Sequence, residues 1–235
     1  MRRVRTIGGG RAGTSLGAAL ESAGWELLGC LGRGDDLGGA AARTDVLVIA
    51  TPDDAVETVA GSVRSVDSTL VVHLSGALGL DVLDGHPRRA AMHPLVSLPT
   101  PDLGTERLRG AWFAVAGDLG VNSLVEALGG RSFPIDDGAR PLYHAAAVIS
   151  SNHLVALLGQ TERVAAAAGV PLEVMLDLAQ GTLDNVRRLG PAAALTGPAA
   201  RGDEATIARH LEALPADEHA LYEALVREAQ RLADG

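Results

Sequence analysis

Three glycines near the start of the chain are spaced as in a dinucleotide-binding turn. They stand in the run Gly8–Gly13, a G-x-G-x-x-G pattern that follows an apolar segment and precedes a helical pattern. In this setting the first glycine permits a tight turn, the second lets the backbone approach a pyrophosphate, and the third lets the helix pack against the strand. A strand–helix turn without a ligand is the alternative. The spacing predicts a cofactor site formed by Gly8, Gly10, Arg11, Ala12 and Gly13.

The end of the second predicted strand indicates which dinucleotide is bound. An acidic side chain there would bind the ribose diol of NAD. The chain instead has Arg33, between Gly32 and Gly34, and a guanidinium suits the 2′-phosphate of NADP. NADP is therefore the predicted cofactor, and NAD is the less favoured one because Asp35 and Asp36 follow. The alternative interpretation of Arg33 is a solvated surface charge.

Polar side chains that follow later strands are candidates for the chemistry. Ligands of parallel sheets lie beyond the carboxyl ends of the strands, so Thr51 and Pro52 are expected to contact the cofactor. Ser75 lies in a loop of small residues, where its hydroxyl can bind a substrate. His93 ends a strand, where an imidazole can polarise a carbonyl or transfer a proton near neutral pH. For Ser75 and His93 the alternative is a hydrogen bond that orders a loop.

The second half of the chain adds polar groups to an apolar helical pattern. His144 and Asn152 are predicted active-site residues, since polar groups on an apolar helix either bind a ligand or satisfy one another. A later loop rich in proline and glycine carries Thr196 and Arg201, which are predicted to bind substrate. The guanidinium of Arg201 suits a substrate carboxylate, although it is also placed to pair with Asp203.

The composition excludes several kinds of chemistry and partner. All 20 basic residues are arginine, so Schiff-base chemistry and a phosphate-binding lysine are impossible. Cys30 is the only cysteine, and His210 and His219 have no companions at metal-ligand spacing, so no metal site is predicted. The net charge of −9 argues against a nucleic-acid partner. A small molecule is the expected ligand.

The elements that must position these residues follow two patterns. Short apolar runs alternate with helical patterns up to Asp137, which is typical of a mostly parallel sheet. The predicted strands are Arg3–Ile7, Glu26–Leu31, Val46–Ala50, Leu70–Leu74, Ala90–His93, Trp112–Ala116 and Arg131–Pro134. The helices predicted among them are Arg11–Ala23, Asp53–Val66 (with Thr51 as N-cap and Pro52 at the first helical position), Leu80–Leu83 and Val121–Leu128.

Beyond Gly138 the strand patterns stop and only helices are predicted. These are Ala139–Ala168, Leu172–Arg188, Glu204–Leu214 and Ala216–Leu232. The predicted fold is α/β: a Rossmann-like, doubly wound and mostly parallel sheet over residues 1–137 binds the dinucleotide, and an all-α domain over residues 138–235 binds substrate and forms a dimer.

The long helix predicted from Ala139 is apolar or small-sided nearly all round. Such a helix must be covered on most faces, so we expect a homodimer formed through the C-terminal helices. The apolar stretch 145–158 is interrupted by polar residues and is shorter than the roughly 20 residues of a membrane span. Neither an export signal nor a membrane partner is predicted, and a cytoplasmic location is expected.

Taken together, several motifs resemble those of bacterial Rossmann-like proteins that carry the C-terminal domain of unknown function 2520. The resemblance covers nearly the whole chain. The matching segments are Gly8–Gly13, His73–Leu78, His93-Pro94, Tyr143–Ala147, Ser151–His153, Leu189–Pro191, Leu195–Pro198 and Arg201–Asp203. In layout the family is similar to pyrroline-5-carboxylate reductase, ketopantoate reductase and the 3-hydroxyacid dehydrogenases.

The resemblance implies NAD(P)-linked reduction but names no substrate. Our hypothesis is an NADPH-dependent reductase that acts on a small carbonyl or imine compound in a cleft between the domains. Asn152 is placed like the asparagine of the hydroxyacid dehydrogenases, but the lysine that accompanies it there has no counterpart in this chain. Either His144 or His93 is the proton donor in place of this lysine, or the reaction needs little proton donation by the protein, as in reduction of a protonated imine. The alternative function is a non-catalytic NADP-binding sensor or scaffold.

Overall fold

Seven strands form one sheet in the order β2-β1-β3-β4-β5-β6-β7. The structure is a computed structural model that describes all residues, Met1–Gly235. Neighbouring strands are parallel except β5 and β6, which run antiparallel. The strands are β1 Arg3–Ile7, β2 Glu26–Leu31, β3 Val46–Ile49, β4 Leu70–His73, β5 Arg89–Pro94, β6 Trp112–Gly117 and β7 Arg131–Pro134.

Helices cover both faces of this sheet. Strand β3 shows why: all four of its residues are buried, with Val46 and Val48 in one apolar cluster and Leu47 and Ile49 in the other. A continuous apolar run of this kind is typical of a parallel strand that is covered on both sides. The helices of this part are α1 Arg11–Ser22, α2 Asp53–Ser62, α3 Pro101–Leu108, α4 Asn122–Ala127 and α5 Arg140–Val148.

The strand order creates a switch point next to β1. The chain passes from β1 to β2 on one side and then to β3 on the other side of β1. In open α/β sheets a crevice forms beyond the carboxyl ends of the strands at such a point, and ligands bind there. The predicted α/β fold with a mostly parallel, doubly wound sheet and a C-terminal helical region is confirmed.

The chain divides into two units, Met1–Ser151 and Asn152–Gly235. The predicted domain boundary was 137/138, and in the structure α5 lies in the first unit together with the sheet. The two predicted domains stay a prediction. The second unit contains α6 Leu154–Ala167, α7 Leu172–Leu189, α8 Pro191–Ala194, α9 Glu204–Ala213 and α10 His219–Asp234. Its only buried hydrophobic residues are Ala165 and Ile207.

Several predicted elements differ from the structure. The continuous helix predicted over 139–168 is interrupted by a π-helical turn, Ile149–His153, where the Ser150 hydroxyl donates to the carbonyl of Ala146 at 2.9 Å. Such back-bonding competes with the helical hydrogen bonds and is typical of irregular helical turns. The prediction of Thr51 as N-cap was also wrong: Pro52 occupies the N-cap position, and α2 begins at Asp53.

Helix α3 was not predicted, although its start signal is in the sequence. Thr100 accepts a hydrogen bond from the amide of Leu103 at 3.4 Å, and Pro101 is the first helical residue.

One helical stretch, Asp137–Ala167, is long and apolar enough to cross a membrane as judged by length and composition alone, which is weak support for a membrane span.

Candidate active site

The glycine turn after β1 has the close packing that its spacing predicts. Gly8 has a φ of 110°, and a Cβ there would lie 2.5 Å from the carbonyl oxygen of Ala50. A Cβ at Gly13 would lie 2.1 Å from the carbonyl oxygen of Gly8. At Gly10, by contrast, a Cβ would meet nothing within 4 Å. The turn is therefore closely packed at Gly8 and Gly13 but open at Gly10, where a ligand can approach the backbone.

The start of α1 is free to bind an anion. Gly10 is its N-cap, and no side chain bonds to the first amides of the helix. Arg11 is exposed and Ala12 is half-buried. Because unpaired amides and the helix dipole favour negative charge, this helix start suits a pyrophosphate.

Arg33 follows β2 in an exposed turn, and no carboxylate pairs with it. The two acidic residues after it are engaged with the backbone. Asp35 accepts a hydrogen bond from the amide of Gly32 at 2.7 Å, and Asp36 accepts one from the amide of Gly38 at 2.9 Å. The turn therefore presents a free cation, while its carboxylates hold the loop.

Thr51 and Pro52 follow β3, the strand next to β1. Pro52 is exposed, whereas the hydroxyl oxygen of Thr51 is buried and has no hydrogen-bond partner. Folded proteins rarely leave such a group unpaired. A ligand at the glycine turn would therefore find an unused hydroxyl on the adjacent strand.

The Ser75 hydroxyl orders its own loop. It donates to Oδ2 of Asp53 at 2.8 Å and accepts from the amides of Ala77 and Leu78, both at 3.1 Å. These three bonds use the capacity of one hydroxyl. The structure therefore shows the loop-ordering bonds that the sequence left as an alternative, and a catalytic role for Ser75 remains a prediction.

His93, Tyr143 and His144 form an aromatic cluster at the carboxyl ends of the central strands. Nδ1 of His93 lies 2.6 Å from the hydroxyl of Tyr143, and the rings of His93 and His144 meet edge to face with centroids 5.6 Å apart. Gly76 packs directly against this cluster, because a Cβ there would lie 2.5 Å from Nδ1 of His144 and 2.9 Å from Cε1 of His93. The structure thus brings together two of the predicted catalytic residues.

The environment of His93 and Tyr143 favours their uncharged forms. Burial, then the neighbouring His144 and Arg140, lower the pKa of His93 to about 4. Burial raises the pKa of Tyr143 to about 12. At neutral pH the imidazole is therefore neutral and the phenol is protonated, so each holds a proton that it can donate through a hydrogen bond.

Sequence reasoning missed three residues of this region: Tyr143 as a partner of His93, His73 and Arg140. His73 is fully buried at the end of β4, and its Nε2 lies 3.1 Å from the carbonyl oxygen of Gly79. Arg140 is also fully buried, and its Nε donates to Oδ1 of Asp137 at 2.9 Å. His73 lies within an apolar strand, and Arg140 precedes a proline at a helix start. Neither pattern by itself indicates a ligand.

The other predicted residues lie in the second unit. Asn152, Thr196 and Arg201 are all exposed there. Asp203 does not pair with Arg201 but caps α9, accepting from the amide and the hydroxyl of Thr206 at 3.1 and 2.8 Å. The substrate-binding roles of these residues remain predictions. No group of three His, Cys, Asp or Glu side chains in the chain is arranged to hold a metal ion.

One domain family matches part of the chain. Residues 116–229 match the family described as Domain of unknown function (DUF2520), which confirms the resemblance drawn from the motifs. No curated protein matches the chain.

Solved structures share the fold over nearly the full length. A Bacteroides fragilis protein, BF3122, whose name assigns it provisionally to the NADP oxidoreductases, has a TM-score of 0.79 at 22% identity and covers 98% of both chains. Pyrroline carboxylate reductase of Plasmodium falciparum, with NADP bound, has a TM-score of 0.65 at 13% identity and covers 99% of this chain and 98% of its own. An imine reductase of Bacillus cereus has a TM-score of 0.60 at 16% identity and covers 98% of this chain and 93% of its own.

Proposed function

We propose that this protein is an NADPH-dependent reductase of a small carbonyl or imine compound. One observation carries the proposal: the glycine turn and the His93–Tyr143–His144 cluster lie at the same edge of one sheet. The turn follows β1, Thr51 follows β3, the Ser75 loop follows β4, and His93 lies at the end of β5, and these four strands are consecutive neighbours. A cofactor on the turn would therefore extend along this edge toward the cluster.

The residues present fit a nicotinamide dinucleotide. The backbone at Gly10 is open, the first amides of α1 are uncapped, and the buried hydroxyl of Thr51 has no partner within the protein. When bound, the cofactor supplies the hydride. The contribution of the protein is then to hold the acceptor carbon in line, and orientation of this kind accounts for much of the rate in such reactions.

The preference for NADPH rests on Arg33. Its guanidinium has no partner in the turn, and both nearby carboxylates accept hydrogen bonds from backbone amides. A 2′-phosphate would accept two parallel bonds from a guanidinium, whereas the ribose diol of NADH offers no negative charge.

The proton chemistry rests on neutral groups. With the Tyr143 hydroxyl donating to Nδ1 of His93, 2.6 Å away, the proton of this imidazole would lie on Nε2, from which it could be donated to a substrate oxygen or nitrogen. An imine that arrives protonated needs no further donor, and a carbonyl would use the N–H as its hydrogen-bond partner. The Plasmodium and Bacillus proteins of similar fold are both named as reductases, which supports the same reaction class here.

We also propose that two copies associate through the C-terminal helices. The second unit buries only Ala165 and Ile207 among its hydrophobic residues, while α7 exposes several large ones. A second copy that covers them would account for an apolar surface of this extent.

The first test is nucleotide binding, measured by calorimetry with NADPH and NADH. Gly10→Ala places a methyl group where nothing lies within 4 Å, so the fold is expected to be unchanged while NADPH affinity falls at least tenfold, because the methyl group blocks the pyrophosphate. Gly61→Ala, in open space on α2, is the matched control and is expected to bind NADPH like the wild type.

Turnover is then followed as loss of NADPH absorbance with a panel of 2-keto acids and cyclic imines. Oxidation of NADPH with one class of substrate is the expected result. If calorimetry detected no binding heat with NADPH or with NADH, the proposed cofactor site and the proposed reductase function would both be wrong. Binding without oxidation throughout the panel would favour the sensor or scaffold instead.

A further inference from the structure

Arg140 carries buried nitrogens that no group of the protein uses. Its side chain is fully buried, and only Nε is engaged, with Asp137 at 2.9 Å. Nη1 and Nη2 have no hydrogen-bond partner. These two atoms carry four of the five N–H donors of the guanidinium. Leaving a buried donor unpaired is costly, and more so for a charged group, so folded proteins normally supply a partner.

Two further unpaired nitrogens lie in the same region. Nδ1 of His73 and Nδ1 of His144 are both buried without a partner. The loop that follows β4 contacts all three side chains or their partners. Gly76 packs against His144, Gly79 bonds to His73, and the amide of Leu80 donates at 2.9 Å to Asp137, the residue that holds Arg140. The unpaired donors and acceptors therefore gather around one loop, Ser75–Leu80.

The protein supplies no second carboxylate for this guanidinium. Asp137 divides its two oxygens between Arg140 and the amide of Leu80. Asp53, the other acid near the cluster, accepts from the hydroxyl of Ser75. A buried cation with one partly shared counter-ion is costly unless another anion completes the pair.

We propose that Nη1 and Nη2 of Arg140 bind a carboxylate of the substrate, so that the compounds reduced are small acids with this group close to the C=O or C=N bond. This inference rests on the proposed reductase function. The two nitrogens form a planar fork that matches two carboxylate oxygens, and a site closed to water strengthens the pair. Because both nitrogens are buried, a substrate would reach them only if neighbouring chain moved aside, and the adjoining Ser75–Leu80 loop contains two glycines.

The proposed reduction transfers one hydride and one proton to the substrate. With NADPH bound, its hydride would add to the carbon of the C=O or C=N bond, and the electron pair of that bond would pass to the oxygen or nitrogen. The oxygen would take its proton from Nε2 of His93, to which water would return one, whereas a protonated imine would need none. The products would be a hydroxy or amino acid and NADP⁺. Arg140 neither gives nor takes a proton, since a guanidinium stays charged. Its role is to fix the acid group, so that the oxygen or nitrogen of the neighbouring bond faces His93.

The test compares pyruvate with pyruvamide, which has nearly the same shape but no charge. Both are titrated into the protein with and without NADP⁺, a form that cannot donate hydride, and binding is followed by NMR. We expect pyruvate to bind at least tenfold more tightly than pyruvamide, and Arg140→Gln to remove this difference. Arg88→Gln is the control, because Arg88 also pairs with an aspartate, Asp118, through Nε at 2.8 Å and Nη2 at 3.0 Å, but its side chain is partly exposed.

The outcomes separate the two proposals. Equal binding of the two compounds, no binding of pyruvate, or unchanged binding by Arg140→Gln would overturn the carboxylate site, and nucleotide binding would still stand. If Arg201→Gln, but not Arg140→Gln, bound pyruvate and pyruvamide equally, Arg201 would be the residue that binds the substrate carboxylate. If Arg140→Gln does not fold, two measurements on the wild type test the proposal. Pyruvate must bind more tightly than pyruvamide, and the ¹⁵N resonance of the Arg140 guanidinium must shift when pyruvate is added.

Discussion

The proposed preference for NADPH depends on Arg33, the cation at the end of β2. Arg33→Gln removes the charge and the fork but leaves the turn intact, since Asp35 and Asp36 hold it through the backbone. We expect NADPH affinity to fall about 10- to 100-fold, the range for loss of charge-assisted hydrogen bonds, while NADH affinity stays the same. Calorimetry with both nucleotides measures this. Arg109→Gln, another exposed arginine, serves as the control, and a parallel loss of NADH binding in Arg33→Gln would contradict the assignment.

His73, which is fully buried, and His93, which is partly buried, are expected to make the stability of the protein depend on pH. Burial, then the charge of Arg140, lower the pKa of His73 to about 4, against 6.5 as the ordinary value. The unfolded chain therefore binds more protons below pH 6.5, so stability is greatest above that pH and falls as the pH drops toward about 4. His93 contributes in the same direction.

The expected loss is about 2 kcal/mol of unfolding free energy per histidine between about pH 7 and 5, from the value of one pKa unit. Urea unfolding at several pH values measures the slope. His73→Gln, whose amide can still bond to the carbonyl of Gly79, is expected to remove one histidine's share of the slope below pH 6.5 and to leave the region above it flat. An unchanged slope in this variant would show that His73 is not held neutral by the fold.

At the scale of elements, the loop after β4 is the part that aligns the two imidazoles. Gly76→Ala would place a methyl group 2.5 Å from Nδ1 of His144, so the rings must move apart and the contact of His93 with Tyr143 is disturbed. We expect turnover to fall at least tenfold while NADPH affinity is kept, since the glycine turn belongs to another strand. The ring ¹H–¹⁵N resonances of His93 and His144 report the displacement even without a substrate.

Gly138→Ala is the control for this loop, because a Cβ at Gly138 meets nothing within 4 Å. It is expected to leave both the ring resonances and turnover at wild-type values. If Gly76→Ala also left them unchanged, the two rings would not depend on the loop, and the close packing at Gly76 would serve only stability.

Periodicity and spacing predicted most elements of the sheet unit but only part of the cluster at its edge. The buried runs of β3 and β4 and the glycine turn are local patterns, so their structure can be inferred without knowing their neighbours. The contact of Tyr143 with His93 joins residues 50 positions apart, and the burial of Arg140 depends on the packing of α5 against the sheet edge. No local pattern encodes either. The π-helical turn at Ile149–His153 was missed for a similar reason, because the apolar pattern continues through it.

At the scale of the molecule, the second unit has too small a core for its size. Its 84 residues bury only Ala165 and Ile207 among the hydrophobic side chains, and a groove of about 740 Å³ with mainly apolar walls lies between its helices. Helix α7 buries no residue and exposes Val174, Leu176, Leu178, Leu183 and Leu189. Burying one leucine is worth about 1.5–3 kcal/mol, so a second copy of the chain would supply much of the missing stability.

The homodimer proposal therefore predicts a solution mass of twice 24.1 kDa by light scattering. Leu178 is 66% exposed in the single chain, so Leu178→Glu costs the isolated unit little, but it would place an unpaired charge in an apolar interface and should convert the protein to the 24.1 kDa species. Leu119→Glu is the matched control, since Leu119 is 82% exposed in the sheet unit, and it should leave the mass unchanged. A wild-type mass of 24.1 kDa at every concentration would instead require another cover for α7.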